Sequence, residues 1–447
     1  MSSYYGPSHT KNVTFYSSCH RHYGVTMQQI STPQHKFEFN LEALRGLAAL
    51  IVVIRHVLLM SPVLMTGYEI SGAWKYVPPG HLSVLVFFML SGYVIGLTNK
   101  TPINSWKSCK DYLKRRFIRL YPIYLLSILL TLGISFSLLG KVYSLPTIIQ
   151  HLTFSQVTLG KVMNENNPLW SLNYEVIYYL LFILISRFSI KPIVAIFFAT
   201  AVATLTAVMP QWFDPMLASY SYGLIFWLSG FWLAQLYTTN TFNPITRFSQ
   251  LISFIFLFLS FEQMNYMQRM FQKLRLDVSP KQVDNFHQQI VDFSDLSYLL
   301  FCLAGIMLFT DKKFKIYNGL KYVIYTMPLV YLAVRIGKGD LLILIESKGV
   351  GFVALFYIIS LFFLLKATAF NNLCQKAIEF IIPLGSISYG IYVVHYPIIF
   401  MIGSVSIFSH SFTDFTIRII IYLVLTLLLG FFLEKKVQPL FRSLKGG

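Results

Sequence analysis

The residues of this sequence that could do chemistry are few, and most stand inside apolar runs. Leu41–Met60, LEALRGLAALIVVIRHVLLM, is long and apolar enough to cross a bilayer, yet it carries Arg45, Arg55 and His56. Charged or titratable groups at membrane depth are costly and mark functional sites by default. Arg45 and His56 are eleven positions apart. At 100° per residue they fall roughly 20° from each other on one helical face, about 16 Å apart along the axis. Ala49 and Val52 lie between them on that face, with Gly46 at its edge. The pair reads as one polar stripe, with Arg45 near the membrane edge and His56 deeper in the span. An imidazole titrates near neutral pH, whereas a guanidinium stays protonated and only donates. The structural alternative is a snorkelling arginine and a histidine bonded inside a helix bundle.

Three further groupings share this character. In LWSLNYE, Ser171, Glu175 and Tyr178 stand at i, i+4 and i+7, again one face. Glu175 lies about 10 Å along the helix from Pro168, a depth at which a carboxylate needs a partner, a proton or a water-filled cavity. In LGSISYGIYVVHYP, Ser388, Tyr392 and His395 share a face by the same rule. Two histidines and one carboxylate within apolar helices favour a shared polar cavity over separate accidents. In RRFIRLYP, Arg116 and Arg119 are three apart, so on a helix they can grip one polyanion. The arginine fork suits phosphate, which at a membrane means a lipid headgroup or a nucleotide-like cofactor. A topology signal or contact with anionic lipid is the other reading of these cations.

The elements that must position these groups are transmembrane helices. The chain has 447 residues, 55% hydrophobic and 12% charged, a balance that excludes an ordinary soluble domain. The net charge of +18 then reflects Lys and Arg in cytoplasmic loops rather than nucleic-acid binding. Cys19, Cys109, Cys302 and Cys374 have no paired spacing, so neither a disulfide framework nor a metal site is indicated. The expected fold is all-α, a polytopic membrane bundle of ten to twelve helices with both termini cytoplasmic. Residues 1–40, polar and without a signal-peptide core, are expected to form a disordered cytoplasmic tail. Residues 41–434 form the transmembrane domain, and 435–447 a short basic cytoplasmic tail. Asn99–Arg119 is the most basic segment and reads as a cytoplasmic loop before a span over Tyr121–Gly140. Lys141–Pro168 reads as an outer loop, and Leu384–Ile402 as one continuous late span.

Five pieces carry a resemblance: LEALRGLAALIVVIRHV, VFFMLSGYVIG, RRFIRLYP, PLWSLNYEVIYY and LGSISYGIYVVHYPI. Taken in this order, the sequence resembles the acyltransferase 3 family of multi-pass membrane acyltransferases, which includes O-acetylases of bacterial surface polysaccharides. The resemblance extends from Leu41 to about Glu434. It implies an acyl-CoA donor, acetyl-CoA above all, on the cytoplasmic side, with no permanently bound cofactor. It also implies an acceptor hydroxyl on an extracytoplasmic or lipid-linked carbohydrate, and a place in a bacterial cytoplasmic membrane. His56 would then be the general base toward that hydroxyl, though a covalent acyl-histidine is also open. Arg45 would steer the donor, Arg116 and Arg119 would hold its phosphates, and Glu175 would orient the acceptor or a histidine. His395, Tyr392, Ser388 and Ser171 would support the polar core. Arg55 and the polar stretch Glu262–Ser294 are not features associated with the family core. The competing class is a proton-coupled transporter of small molecules, which also uses His, Glu and Arg at the midplane. The absence of paired, Gly/Pro-interrupted half-sequences argues against it.

Overall fold

A computed structural model describes residues 33–239, 247–274, 290–312, 316–339, 350–366, 368–405 and 411–443. Most of the expected N-terminal tail, up to residue 32, lies outside the described residues, as do residues 275–289 of the polar stretch. Among the described residues there is no strand, and helices account for nearly everything.

In chain order these are α1 (Pro33–Leu59), α2 (Gly80–Thr98), α3 (Trp106–Leu139), α4 (Leu145–Leu152), α5 (Trp170–Arg187), α6 (Pro192–Val208) and α7 (Pro215–Thr239). They continue with α8 (Phe248–Met264), α9 (Tyr266–Leu274), α10 (Leu299–Phe309), α11 (Ile316–Gly337) and α12 (Val350–Leu365). The last are α13 (Asn371–Gly385), α14 (Ser388–Gly403), α15 (Phe412–Phe432) and α16 (Gln438–Ser443). Five helices among the described residues are long and apolar enough to cross a membrane, six if the bent pair α13–α14 counts as one span. Three further apolar helices are shorter than a full span. The ten to twelve spans expected from hydropathy therefore exceed the number that meet this test. Large apolar side chains such as Phe136, Phe197 and Phe198 point outward from the bundle, where lipid is their natural partner.

Three sequence expectations are corrected here. Most of the basic segment is not a loop: α3 begins at Trp106 and runs unbroken through every cation of the segment except Lys100 into the apolar half. Ser105 starts it with a reciprocal capping box to Ser108, and Gly140 closes it in the left-handed conformation at φ 61°. Lys, Arg and Leu are good helix formers, and the helix carries Pro122 without breaking. The expected outer loop Lys141–Pro168 contains α4, capped by Ser144, and a 3₁₀ turn over Asn164–Leu169. The expected late span Leu384–Ile402 is broken, with α13 and α14 bent by 72° between Gly385 and Ser388.

Close helix approach accompanies the break. A Cβ on Gly385 would fall 2.1 Å from the carbonyl oxygen of Glu42, and one on Gly46 2.6 Å from the Gly385 nitrogen. The two glycines let α1 press against the bend, as small residues do in membrane bundles. The same device joins α2 to α7. A Cβ on Gly92 would meet the Trp227 carbonyl oxygen at 1.8 Å, and one on Gly230 the Met89 carbonyl oxygen at 1.9 Å.

Candidate active site

Side chains from five helices line a cavity of about 260 Å³. Arg45 comes from α1, Phe87 and Ser91 from α2, and Arg116 and Arg119 from α3. Ser171, Glu175 and Tyr179 come from α5, and Ser388, Tyr389 and Tyr392 from α14. Seven residues singled out by sequence spacing thus meet in one space. Glu175, half-buried, accepts a hydrogen bond from Ser91 Oγ at 2.8 Å and another from the Tyr179 hydroxyl. Trp227 Nε1 donates to Ser91 in turn at 3.3 Å. Two hydroxyl donors on one carboxylate oxygen give Glu175 the partners that a polar group at this depth needs.

The three cavity arginines differ in their partners. Arg45 pairs with Glu42, one turn back on its own helix. Arg119 donates both bonds of one Nη to the Glu434 carboxylate, at 2.7 and 3.1 Å, and that carboxylate is otherwise buried. Arg116 stacks over Tyr112 and Tyr179, each 5.6 Å from its guanidinium carbon. It donates to Thr98 Oγ1 at 3.3 Å, while its buried Nε has no partner among the described residues. Arg116 is therefore better placed than Arg119 to give a full fork to an anion.

His56 and His395 do not line this cavity. They bond to each other, His56 Nδ1 to His395 Nε2 at 2.8 Å. The other nitrogen of His395, Nδ1, faces the Tyr392 carbonyl oxygen at hydrogen-bond distance. A carbonyl only accepts, so Nδ1 of His395 carries the proton and its Nε2 is bare. His56 Nδ1 must then donate, which leaves His56 Nε2 with a free lone pair. The tautomer of the first ring is thus set by a backbone carbonyl two bonds away. His395 is fully buried and His56 half-buried, with Tyr396 edge-on to it at 5.3 Å. Of the two rings only His56 is partly exposed. Between Arg45 and His56 on the shared stripe, Ala49 and Val52 are fully buried in packing. That packing is why the cavity stops short of the histidines.

A proline positions this pair. Pro397 has no N–H, so the Val393 carbonyl one turn back is left without its helical donor. Asn166, fully buried in the 3₁₀ turn, supplies one from Nδ2 at 3.1 Å and also donates to Thr131 at 3.0 Å. This ties α14 to α3 and to the approach to α5. Ser171 and the Tyr392 hydroxyl add a bond at 2.7 Å across the same contact.

Beyond His56, Arg55 and the polar stretch come together. Arg55 donates to Glu262 Oε1 at 2.8 Å and to the Pro78 carbonyl at 3.1 Å. His81 bonds Asp295 at 2.8 Å and stacks near Trp170. Burial and the neighbouring Asp295 carboxyl push Asp292, the cap of the turn leading into α10, above the usual carboxylate range.

Sequence reasoning placed Tyr178 on the face of Glu175, but its hydroxyl turns away to the Tyr220 carbonyl. It also missed Ser91, Tyr179, Asn166 and Glu434. Tyr179 was one turn from Glu175, and Ser91 was a lone hydroxyl in an apolar run; both signals were present. Nothing local marks Glu434 as the partner of Arg119.

A family model described as an acyltransferase domain, that of acyltransferase 3, matches residues 38–318. The match contains Arg45, His56, Arg116, Arg119, Ser171 and Glu175, and ends before Ser388, Tyr392 and His395. No curated protein and no solved structure matches the chain.

Proposed function

The chain belongs to the acyltransferase 3 family, and from that premise we propose that it is a membrane O-acyltransferase. In this reading it moves an acyl group, acetyl in the simplest case, from cytoplasmic acyl-CoA to a hydroxyl of an extracytoplasmic or lipid-linked carbohydrate. Several apolar helices and the family make it a membrane protein, and a bacterial cytoplasmic membrane is the proposed setting. The observation that carries the reading is Tyr392. Its side chain lines the arginine cavity, and its carbonyl fixes the histidine pair. One residue thus joins a space suited to an anionic donor with a base suited to a hydroxyl.

The donor's phosphates sit at Arg116, Arg119 being held by Glu434, and the pantetheine arm enters the cavity beside Arg45; the packing of Ala49 and Val52 has to open for the thioester to reach His56. His56 Nε2 takes the acceptor hydroxyl proton as its oxygen attacks the thioester carbonyl. The tetrahedral intermediate collapses, the C–S bond breaks, and the proton on His56 passes to the departing thiolate. His395 keeps His56 in the tautomer that makes Nε2 the base, and its own lone pair faces the imidazolium formed in transit. Glu175, held by Ser91 and Tyr179, is a hydrogen-bond acceptor in the cavity wall for the donor arm's amides or for a water.

The test uses protein purified into nanodiscs, labelled acetyl-CoA and a panel of envelope glycans. The reading expects thiol release coupled to label on a glycan hydroxyl. Uptake of a solute into vesicles without thioester cleavage would replace it with the transporter reading.

A further inference from the structure

Beside the arginine cavity, a second and more open space of about 760 Å³ lies over the N-terminal half of α3. Arg116 and Arg119 line both, so the two are adjacent along one route. The outer space adds Arg115 from α3 and Arg442 from α16, against one carboxylate, Asp111. Its volume falls within the range of ligand sites, roughly 300–1,000 Å³.

Arg442 reaches this space because the chain's last segment is anchored there twice. Glu434 pairs with Arg119. Pro122 cannot donate to the Ile118 carbonyl one turn back on α3, and Gln438, fully buried, donates its Nε2 to that oxygen at 2.6 Å. A turn of π-helix over Leu433–Val437 carries the chain between the two anchors into α16. Arg442 is exposed, and no carboxylate pairs with it among the described residues. Arg115 donates to the Asn99 side chain at 3.2 Å, and no carboxylate pairs with it among the described residues.

We propose that Arg442 and Arg115 form a subsite for the 3′-phosphorylated adenosine diphosphate end of the donor, with Arg116 at the neck. This rests on the acyl-CoA reading above and adds to it Arg115 and, from a segment beyond the family match, Arg442. Arg119, neutralised by Glu434, anchors the segment instead of the ligand. A nucleotide with a separate 3′-phosphate and diphosphate presents two anionic groups, and arginines on two different helices present two forks.

Acetyl-CoA, acetyl-dephospho-CoA and acetyl-pantetheine separate the contributions. For Arg442→Ala, the ratio of kcat/KM for acetyl-CoA to that for acetyl-pantetheine should fall at least about tenfold, the scale of one charge-assisted hydrogen bond. Part of that fall should be lost when acetyl-dephospho-CoA replaces acetyl-CoA. An unchanged ratio would overturn the subsite. Binding of 3′,5′-adenosine bisphosphate to wild type and to Arg442→Ala, read by calorimetry, needs no turnover. If no thioester is cleaved, the acyl-CoA reading fails by itself, and weaker bisphosphate binding by the variant would still support the nucleotide subsite. Equal binding by both proteins would reject it.

Discussion

Arg45 and Arg55 lie on the same helix and both form ion pairs, but the two ends of α1 use charge differently. Arg45 pairs locally with Glu42 and faces a cavity that also holds Arg116 and Arg119. Arg55 pairs across the bundle with Glu262 and ties down the Pro78 carbonyl as well. At one end cations outnumber acids around an open space. At the other, each cation is used to cross-link elements, here α1 to α8 and His81 on α2 to Asp295 before α10. The first arrangement suits capture of an anion; the second suits holding a neighbouring group, His56, in place. On α1, the arginine whose acid lies on its own helix faces the open space, and the one whose acid lies on another helix acts as a clamp.

Substitutions can sharpen that contrast. The largest effect on stability is expected for Arg119→Ala, because Glu434 is left buried and unpaired; thermal unfolding in detergent should show a loss of about 3 kcal/mol, the low end for a broken buried pair. Arg119→Ala with Glu434→Gln should recover most of it. Arg116→Ala should leave stability nearly unchanged and raise the KM for acyl-CoA, since a charge-assisted bond contributes about 1.5–3 kcal/mol. Equal behaviour of the two arginines in both assays would erase the distinction between anchor and ligand group. At the clamp end, Glu262→Gln should cost about 1–2 kcal/mol, a partly exposed version of the buried-pair penalty. Glu42→Gln, which breaks only an i, i+3 pair, should cost no more than about 0.5 kcal/mol. A larger cost at Glu42 than at Glu262 would reverse the comparison.

Much of the site was legible because it is helical and periodic. The spacings of Ser171 with Glu175 and of Ser388 with Tyr392 each brought a pair to the cavity wall. What hydropathy could not show is tertiary. Leu384–Ile402 reads as one apolar run, yet Gly385 must admit the Glu42 carbonyl, and the helix breaks there. The Arg45–His56 stripe is real as periodicity, but packing of Ala49 and Val52 separates its two ends. The pairing of Arg119 with Glu434 joins residues 315 positions apart, beyond the reach of any local pattern. The basic segment was misread for a different reason. Its charge suggests a loop, although Ser105 and the helix-forming residues after it favour a helix.

The account stands on His56 as the base and the arginine cavity as a separate donor site. Single-turnover acetyl transfer by purified His56→Ala, measured beside acetyl-CoA binding by the same preparation, tests both at once. The account predicts donor binding within about twofold of wild type and transfer slowed at least about 100-fold, the low end of a general-base contribution. Near-normal transfer by His56→Ala would contradict it.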